Sequence, residues 1–323
     1  MKGLVLSITA GQGHNQTAMV ISKRFNECGV ECKYLDVYKF INPILSDSVN
    51  KIYLMSTKAI PKIYGGVYRM CEKRGVQSGA GIHGLNRITN SVLSRSLIKL
   101  IQKEKPDFII CTHIFAALLV TYISSIEHLN AKTIGVITDF TIHPYWEDSL
   151  LDYYIIANER LTIQGIKKGF PENKFLPLGI PIGTKFSRKI EKSKAKEILN
   201  LHSKHTILVM SGSMGFGAVY KEIEELDKLD MDFEIVSVSG NNKKLKTKID
   251  SMETRKKIYS YGYINNVDVF MDACDCIITK PGGLTTSEAL AKQIPMLINN
   301  PIPGQEDRNV EFLLNAGAAM RIS

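Results

Sequence analysis

The sequence predicts an α/β protein with two doubly wound parallel sheets, each covered by helices. Short apolar runs rich in β-branched residues alternate with segments of helical spacing, which is the order that produces parallel sheets. The alternation occurs twice, on either side of a charged stretch at residues 181–193. We therefore predict one domain at residues 1–185, a second at residues 194–323, and a linker between them.

The expected elements follow from these runs. The strands of the first domain are predicted at residues 4–8, 31–37, 106–113, 133–139, 153–158 and 175–182. Those of the second domain are predicted at residues 206–210, 233–240, 258–264, 276–279 and 295–298. Helical spacing predicts helices at residues 16–28, 97–103, 116–125, 195–201, 267–273 and 287–293, and a basic helix start at 241–248.

The composition is that of a soluble two-domain protein. A chain of 323 residues is long enough for two hydrophobic cores, and 44% hydrophobic with 23% charged residues is typical of globular proteins. The chain has no run of eighteen apolar residues, so we expect no membrane-spanning helix. Its first residues lead straight into a strand rather than into a signal peptide. The six cysteines lack zinc-site spacing, so we expect them to be reduced in the cytosol.

The net charge of +9 favours an anionic surface as partner: a membrane, a nucleic acid or a phosphate-rich ligand. No nucleic-acid-binding motif accompanies the charge, so we expect no nucleic acid. Residues 51–95 carry eight basic residues and one acidic residue, interleaved with apolar and aromatic residues that include Tyr64 and Tyr68. This mixture suits a surface that enters an anionic lipid headgroup layer. A solvated basic face over ordinary core helices is the alternative.

The strongest motif is the stretch from Lys280 to Leu290, directly after a predicted buried strand. Gly282 and Gly283 allow backbone N–H groups to approach a ligand closely, and the start of the following helix favours an anion. We place Glu288 in the first turn of that helix, where it can bind a hydroxyl pair such as that of a ribose. A plain turn with a helix-stabilising glutamate remains the alternative.

Two further loops follow strands of the second domain. Residues 300–309 lie at the carboxyl end of a neighbouring strand, where open α/β sheets bind ligands, and they offer Gln305, Glu306 and Asn309 as hydrogen-bonding groups. The Gly-rich turn at Gly212 and Ser213 follows another strand and suits a diphosphate. A merely flexible turn is the alternative for this segment.

The first domain opens with a Gly-rich turn at residues 9–15 that contains Gly13. It lacks the third glycine of a dinucleotide fingerprint and the Lys-Ser/Thr of a P-loop, so it is not a standard NAD or ATP loop. His14 lies at the mouth of this turn. A general base is the functional hypothesis, because an imidazole titrates near neutral pH; a helix cap or a solvated side chain is the alternative.

Three polar residues follow other strands of the first domain: His113, Asp139 and His143. All three lie at carboxyl ends of predicted strands, the functional edge of such sheets. They are metal-binding residue types, but their spacing is not that of a zinc site. We therefore prefer an acceptor pocket in which Asp139 orients or charges a catalytic group.

The motifs of the second domain, taken together, resemble a known site. Pro-Gly-Gly at 281–283, Thr285, Glu-Ala-Leu at 288–290, Pro-Gly-Gln-Glu at 303–306 and Asn309 occur in the order and spacing of the donor-sugar site of family 28 glycosyltransferases with the GT-B fold. In that family, the glutamate holds the ribose, backbone groups after one strand hold the uracil, and the Gln-Glu pair holds sugar hydroxyls. The donor residues implied are Gly13, Gly212, Ser213, Tyr263, Ile264, Gly282, Gly283, Thr285, Glu288, Gln305, Glu306 and Asn309.

The first domain is similar to a subgroup of this family. The turn ending in His14 looks like the Gly-Gly-Gly-His loop of monogalactosyl- and glucosyl-diacylglycerol synthases, although Gln12 and Asn15 depart from its usual small or basic neighbours. Thr-Asp at 138–139, followed by His-Pro-x-Trp at 143–146, resembles the same synthases. The resemblance implies His14 and Asp139 as catalytic residues. The acceptor residues implied are His113, His143, Trp146, Tyr64 and Tyr68.

The resemblance covers essentially the whole chain and implies two Rossmann-like domains that face a cleft. The implied reaction is inverting transfer of glucose or galactose from UDP-glucose or UDP-galactose to 1,2-diacylglycerol. It needs no cofactor and no metal, because backbone N–H groups stabilise the leaving diphosphate. The implied location is cytoplasmic, peripheral on the inner face of the cell membrane. Family members usually continue with C-terminal helices that cross back to the first domain, and we expect these helices to be missing here.

Other functions remain open from the sequence. A related enzyme transfers to an undecaprenyl-linked sugar, and another is a UDP-sugar epimerase. A non-catalytic UDP-sugar sensor is a third possibility, although a sensor has no need of a base such as His14.

Overall fold

The computed structural model describes residues 1–9, 12–41, 93–202, 204–210, 212, 215 and 218–322. The chain divides into two units: unit 1 is Met1–Pro181 with Ile302–Arg308, and unit 2 is Ile182–Pro301 with Asn309–Ser323. Residues 51–92 of the predicted basic-aromatic segment, including Tyr64 and Tyr68, lie outside the described residues, as does Ser213. The predicted linker clusters with unit 2. No helix within the described ranges has the length and apolar character needed to cross a bilayer.

Unit 1 is built on a six-stranded parallel sheet with the order β2-β1-β3-β4-β5-β6. Its strands are β1 (Lys2–Ser7), β2 (Glu31–Asp36), β3 (Phe108–Cys111), β4 (Lys132–Val136), β5 (Tyr153–Ile155) and β6 (Phe175–Leu176). Its helices are α1 (Gly13–Glu27), α2 (Val37–Ile41), α3 (93–104), α4 (Ile114–Ile126) and α5 (Arg160–Lys167), with short 3-10 helices at Pro144–Asp148 and Glu172–Lys174.

Unit 2 is built on a second six-stranded parallel sheet, with the order β12-β11-β10-β7-β8-β9. Its strands are β7 (Thr206–Met210), β8 (Glu234–Val238), β9 (Ile258–Tyr261), β10 (Cys276–Thr279), β11 (Met296–Ile298) and β12 (Ala319–Arg321). The helices are α6 (Lys192–Ile198), α7 (Val219–Lys228), α8 (Lys243–Asp250), α9 (Val267–Ala273), α10 (Gly283–Lys292) and α11 (Gln305–Asn315), with a 3-10 helix at Thr184–Ser187. The predicted class, α/β with two parallel sheets, is confirmed.

Some segments are helical where no helix was predicted. Helix α5 runs through Gly165, where a Cβ would lie 2.1 Å from the Phe175 ring. The glycine therefore permits close packing inside a helix. Residues 300–309 were expected to form a loop, but α11 begins at Gln305. Acidic residues in its first turn favour that helix start.

A third correction concerns α10, which begins at Gly283 rather than at Ser287. Gly282 is its N-cap residue, with extended backbone angles. The Ser287 hydroxyl donates to the Gly283 carbonyl at 2.7 Å, as a serine inside a helix does. Glu288 therefore lies in the second turn of the helix and not in the first.

Strand register brings the loops of unit 1 together at one sheet edge. Leu6 of β1 pairs with Cys111 of β3, and Cys111 pairs with Gly135 of β4. The Thr112 N–H donates to the Leu6 carbonyl at 3.0 Å, which extends the β1–β3 ladder by one residue. The segments that follow β1, β3 and β4 are consequently neighbours at the carboxyl edge of the sheet.

A buried ion pair ties together unit 2. Lys292 at the end of α10 contacts Asp272 of α9, with 2.5 Å between Nζ and Oδ2 and side chains that are 1% and 0% exposed. Asp272 also accepts the Ile190 N–H at 3.1 Å, and Lys292 donates to the Arg188 carbonyl. These bonds fix residues 188–190 against the two helices. Such a pair is costly to break, because the remaining charge stays buried.

We predict that Lys292→Met lowers the free energy of unfolding by about 3–5 kcal/mol, since it leaves the Asp272 carboxylate without its cation. The matched control is Lys192→Met, which breaks the 2.7 Å contact of Lys192 with Asp275, where the lysine is half exposed. That variant is expected to lose less than about 1 kcal/mol. Urea unfolding followed by far-UV circular dichroism measures both values, and equal losses would contradict the prediction.

Candidate functional site

His14 lies one residue inside α1, at the carboxyl edge of the sheet of unit 1. Its Nδ1 atom is 3.0 Å from the Thr112 carbonyl oxygen and 2.9 Å from the Thr138 hydroxyl. Because a carbonyl oxygen only accepts, the bond to Thr112 places the ring proton on Nδ1. The lone pair of Nε2 is then the part of the ring that can accept a proton from a substrate.

Thr112 holds His14 in two ways. Besides accepting from the ring, it donates its hydroxyl to the His14 backbone carbonyl at 3.0 Å. Thr112 follows β3, and Thr138 follows β4 by one further residue. The sequence analysis did not assign either threonine a role of its own. The strand order β1-β3-β4 was the signal that could have found them, since it places the ends of these strands beside the turn that carries His14.

Burial lowers the pKa of His14 below its ordinary value of 6.5, and the bond to the Thr112 carbonyl partly opposes this shift. Burial favours the neutral imidazole because the charged form loses its hydration. The Nδ1–H bond to a carbonyl favours the imidazolium. With burial the larger cause, the ring is neutral at neutral pH, which is the state that a general base requires.

His113 caps α4. Its Nδ1 accepts the Phe115 N–H at 3.2 Å, and its ring meets His14 edge-on with 4.6 Å between the ring centroids. Burial and the neighbouring His14 and His143 hold its pKa well below 6.5. His113 is therefore neutral, caps a helix and packs against the candidate base.

His143 has a similar position at the 3-10 helix Pro144–Asp148. Its Nδ1 accepts the Tyr145 N–H at 3.1 Å, and burial together with the charge of Lys168 lowers its pKa to about 4. Ring contacts run from His113 to Phe115 at 5.4 Å, from Phe115 to Tyr145 at 6.2 Å, and from Tyr145 to His143 at 5.0 Å. Two of the predicted acceptor residues therefore belong to one cluster of rings that reaches His14.

Trp146 occupies the core of unit 1. Its ring packs edge-on against Tyr154 at 6.2 Å, and a Cβ added at Gly135 would lie 2.8 Å from the indole. The side chain is buried in the same hydrophobic cluster as Leu151. Trp146 thus anchors the 3-10 helix beneath His143.

Asp139 accepts a hydrogen bond from the Gln305 side-chain amide, within unit 1. Glu306 is buried, and its Oε2 accepts the Ile302 N–H at 2.8 Å. The Gly304 N–H donates to Asp307 at 2.9 Å. These bonds fix the segment before α11, so the predicted donor residues Gln305 and Glu306 start a helix whose entry is held by side chains.

The turns of unit 2 expose backbone at the carboxyl edge of its sheet. A Cβ added at Gly282 would meet no atom within 4 Å, so this face of the turn is open. Gly212 has a φ of +66°, and a Cβ there would lie 3.9 Å from Lys280, which places the turns after β7 and β10 side by side. The first N–H groups of α10 point out of the helix start that Gly283 opens. This arrangement suits an anion.

Glu288 is half-buried on α10. Burial raises its pKa to about 7; the nearby Asp268 adds to the rise, and Lys185 opposes it. Asn309 is fully buried, and its amide donates to the Pro281 carbonyl at 2.9 Å, so it holds the glycine turn from α11.

The remaining predicted donor residues are divided between the two units. Thr285 is half-buried in the first turn of α10. Tyr263, 51% exposed, and Ile264 follow β9 by two and three residues. Gly13 opens α1 in unit 1. Across the described ranges, no three His, Cys, Asp or Glu side chains group in a way that could hold a metal ion.

Known proteins similar to this chain match along its whole length. The processive diacylglycerol beta-glucosyltransferase of Bacillus pumilus (strain SAFR-032) is 30% identical, over all of this chain and 83% of that protein. The protein of the same name from Bacillus mycoides (strain KBAB4) is 29% identical, over 99% of this chain and 82% of that protein.

Solved structures show the same fold at low identity. Acinetobacter baumannii MurG matches with a TM-score of 0.63 at 15% identity, over 99% of this chain and 85% of that one. The spinosyn rhamnosyltransferase SpnG, complexed with thymidine diphosphate, matches with a TM-score of 0.62 at 11% identity, over 99% and 86%. Both are GT-B glycosyltransferases, so the GT-B fold implied by the sequence motifs is confirmed.

Family models match both halves of the chain. The model of the glycosyltransferase family 28 C-terminal domain matches residues 206–323. The model of monogalactosyldiacylglycerol (MGDG) synthase matches residues 14–182, which is more than half of the 323 residues. The chain therefore belongs to the monogalactosyldiacylglycerol synthase family of glycosyltransferases.

Proposed function

We propose that this protein transfers a hexose, glucose or galactose, from a UDP-sugar to 1,2-diacylglycerol with inversion at the anomeric carbon. The observation that carries the proposal is the state of His14: a neutral ring with its proton on Nδ1 and its lone pair on Nε2. Family membership supports the acceptor, since the relatives are named diacylglycerol glucosyltransferases. The relatives' names favour glucose over galactose as the transferred sugar.

In the proposed reaction, Nε2 of His14 takes the proton of the acceptor hydroxyl while that oxygen attacks the anomeric carbon. The bond between this carbon and the diphosphate oxygen breaks, and UDP leaves with the bonding electrons. Attack on the face opposite to the leaving group inverts the configuration. The imidazolium formed in this step is stabilised by the Thr112 carbonyl, which accepts the hydrogen bond from Nδ1.

The leaving diphosphate is assigned to the turns at Gly212–Ser213 and Gly282–Gly283. Backbone N–H groups and the start of α10 supply fixed dipoles for the developing negative charge, so the proposal includes no metal. Glu288 is assigned to the ribose hydroxyls. Backbone groups of Tyr263 and Ile264 are assigned to the uracil.

The proposed acceptor site is the ring cluster of His113, Phe115, Tyr145 and His143, which begins beside His14. An apolar and aromatic surface with neutral histidines suits the glycerol end of a diacylglycerol better than it suits a charged acceptor. We place the protein at the inner face of the cell membrane, bound peripherally, since the net charge of +9 favours anionic lipid.

The reaction is tested by UDP release. With UDP-glucose or UDP-galactose, release is expected to depend on diacylglycerol in anionic vesicles, because the acceptor hydroxyl is the attacking group. The glycolipid should be β-linked, because inversion converts the α-linked donor into a β product. The measurements are coupled UDP detection, thin-layer chromatography of the lipid, and proton NMR of the purified glycolipid for the anomeric configuration. Release at the same rate from vesicles without diacylglycerol would contradict the proposed acceptor, and retained configuration would contradict direct inversion.

The base is tested by His14→Ala, which is expected to lower kcat by roughly 10²–10⁴-fold because the acceptor proton loses its recipient. His14→Asn retains an amide that can donate to the Thr112 carbonyl, but its kcat should fall by as much because an amide cannot act as a base. The matched control is His128→Ala, since His128 is an exposed histidine of the same unit. UDP affinity, measured by calorimetry, should stay unchanged in all three. Full transfer activity in His14→Ala would refute the base assignment.

The pH dependence has two separate origins. Because burial lowers the pKa of His14, kcat should rise with pH with its midpoint below pH 6.5. Glu288 has a pKa of about 7 and accepts hydroxyl hydrogen bonds best as a carboxylate, so the KM for the UDP-sugar should fall as pH rises through 7. Steady-state kinetics from pH 5 to 9 separates the two. Glu288→Gln should remove the pH dependence of KM while retaining that of kcat; a KM that still titrates in this variant would exclude Glu288.

A further inference from the structure

Glu222, on α7 of unit 2, makes contacts that the proposed reaction does not use. Its Oε1 accepts the side-chain amides of two consecutive residues, Asn299 at 3.0 Å and Asn300 at 3.3 Å. The carboxylate is half-buried, and burial raises its pKa while these two hydrogen bonds oppose the rise. A single oxygen atom of one helix thus holds two residues of a loop that lies more than seventy positions further along the chain.

The two asparagines form the turn directly after β11. The Asn299 N–H donates to the Thr279 carbonyl at 3.1 Å, which continues the pairing of β11 with β10. The Asn300 N–H donates to the Asn299 side-chain oxygen at 2.7 Å, and Asn300 has a φ of +48°, in the left-handed region that asparagine tolerates better than most residues. Three side-chain bonds, two of them to Glu222, hold this left-handed backbone conformation.

Two helices hold segments that follow strands of unit 2. Glu222 lies on α7, the helix after β7, and holds Asn299 and Asn300 directly after β11. A separate hydrogen bond, from Asn309 of α11 to the Pro281 carbonyl, holds the turn after β10. The turn after β10 is assigned to the donor diphosphate above, and the resemblance to family 28 assigns Gln305 and Glu306, which follow Asn300 along the chain, to the donor sugar.

We infer that Glu222 is a positioning residue for the UDP-sugar: it holds the turn after β11 in the conformation that the donor site requires. The inference rests on the proposed function for the identity of the ligand. Glu222 acts through Asn299 and Asn300, whose backbone leads into residues 301–304. Its removal would free the left-handed turn at Asn300 to relax, while the hydrophobic core beneath stays intact.

The test compares Glu222→Ala, Glu222→Gln and Glu225→Ala. Glutamine retains the Oε1 acceptor that both asparagines use, whereas alanine removes it. Glu225 lies on the same helix, is exposed and contacts only Lys228 among the described ion pairs, so Glu225→Ala is a matched loss of charge. Each variant is titrated with UDP by calorimetry, and amide hydrogen exchange is measured on the peptide covering residues 296–304.

In Glu222→Ala, the Kd for UDP is expected to rise about tenfold, from the loss of two hydrogen bonds of ordinary strength. The KM for the UDP-sugar should rise with it, the KM for diacylglycerol should not change, and the amide of Asn300 should exchange faster. The Kd of Glu222→Gln for UDP should stay within about threefold of the wild-type value, and the Kd of Glu225→Ala should equal the wild-type value.

An unchanged UDP affinity in Glu222→Ala, or an equal loss in Glu225→Ala, would overturn the inference. A wild-type protein that binds no UDP would also overturn the inference, and it would contradict the UDP-sugar donor of the proposed function. The two proposals remain distinguishable. If the wild type binds UDP but transfers no sugar to diacylglycerol, and Glu222→Ala binds UDP more weakly, the proposed acceptor is refuted. The role of Glu222 in that case still stands.

Discussion

The hydrogen bond between His14 Nδ1 and the Thr112 carbonyl is the interaction on which the proposed chemistry of unit 1 depends. It fixes the tautomer, and through the tautomer it decides which nitrogen can take a proton. The bond exists because β1 and β3 are paired in a register that ends both strands at the same level. A shift of β3 by one residue would turn the Thr112 carbonyl away from the ring. The tautomer of a side chain at the start of α1 is therefore set by the hydrogen bonding of the sheet.

In unit 1 a backbone carbonyl holds the key side chain, whereas in unit 2 side chains on helices hold the segments that follow the strands. The residues after β11 are held by Glu222 through Asn299 and Asn300, and the turn after β10 is held by Asn309 through the Pro281 carbonyl. Each of these ties has one partner in a turn and the other on a helix. A diphosphate needs several N–H groups held in fixed directions, because dipoles that reorient on binding contribute less to stabilising charge. Helices that hold the segments after β10 and β11 supply that rigidity.

Much of this architecture could be predicted from the sequence. All eleven predicted strands are present, because short β-branched runs bounded by polar turns have few other ways to bury their side chains. The strand β12 was missed, since Ala319–Arg321 is short, lies at the sheet edge and carries a charged end. The helix α5 was missed because Gly165 and Gly169 argue for turns, and only the Phe175 ring packed over Gly165 explains a helix there.

The site was predictable in its residue types and much less so in its contacts. Their positions after strands made His14, Glu288 and Gln305 candidates, and the family resemblance supplied the roles proposed for them. Thr112 and Thr138 could not be assigned without the strand order, since ninety-eight and one hundred and twenty-four positions separate them from His14. Glu222 belongs to no motif. On a helix rich in charged residues, the sequence gives no sign that this glutamate contacts Asn299 and Asn300.

Burial acts on both candidate functional groups in the same way, but it shifts their pKa values in opposite directions. It favours the neutral form of each, so it lowers the pKa of His14 and raises that of Glu288 to about 7. For His14, the neutral form is the reactive one, and burial prepares it. For Glu288, the charged form binds hydroxyl groups better, and burial opposes it. Because the proposed ribose contact stabilises the carboxylate, donor binding should draw a proton off Glu288, and the affinity for the donor and the protonation of this one residue are then linked in both directions.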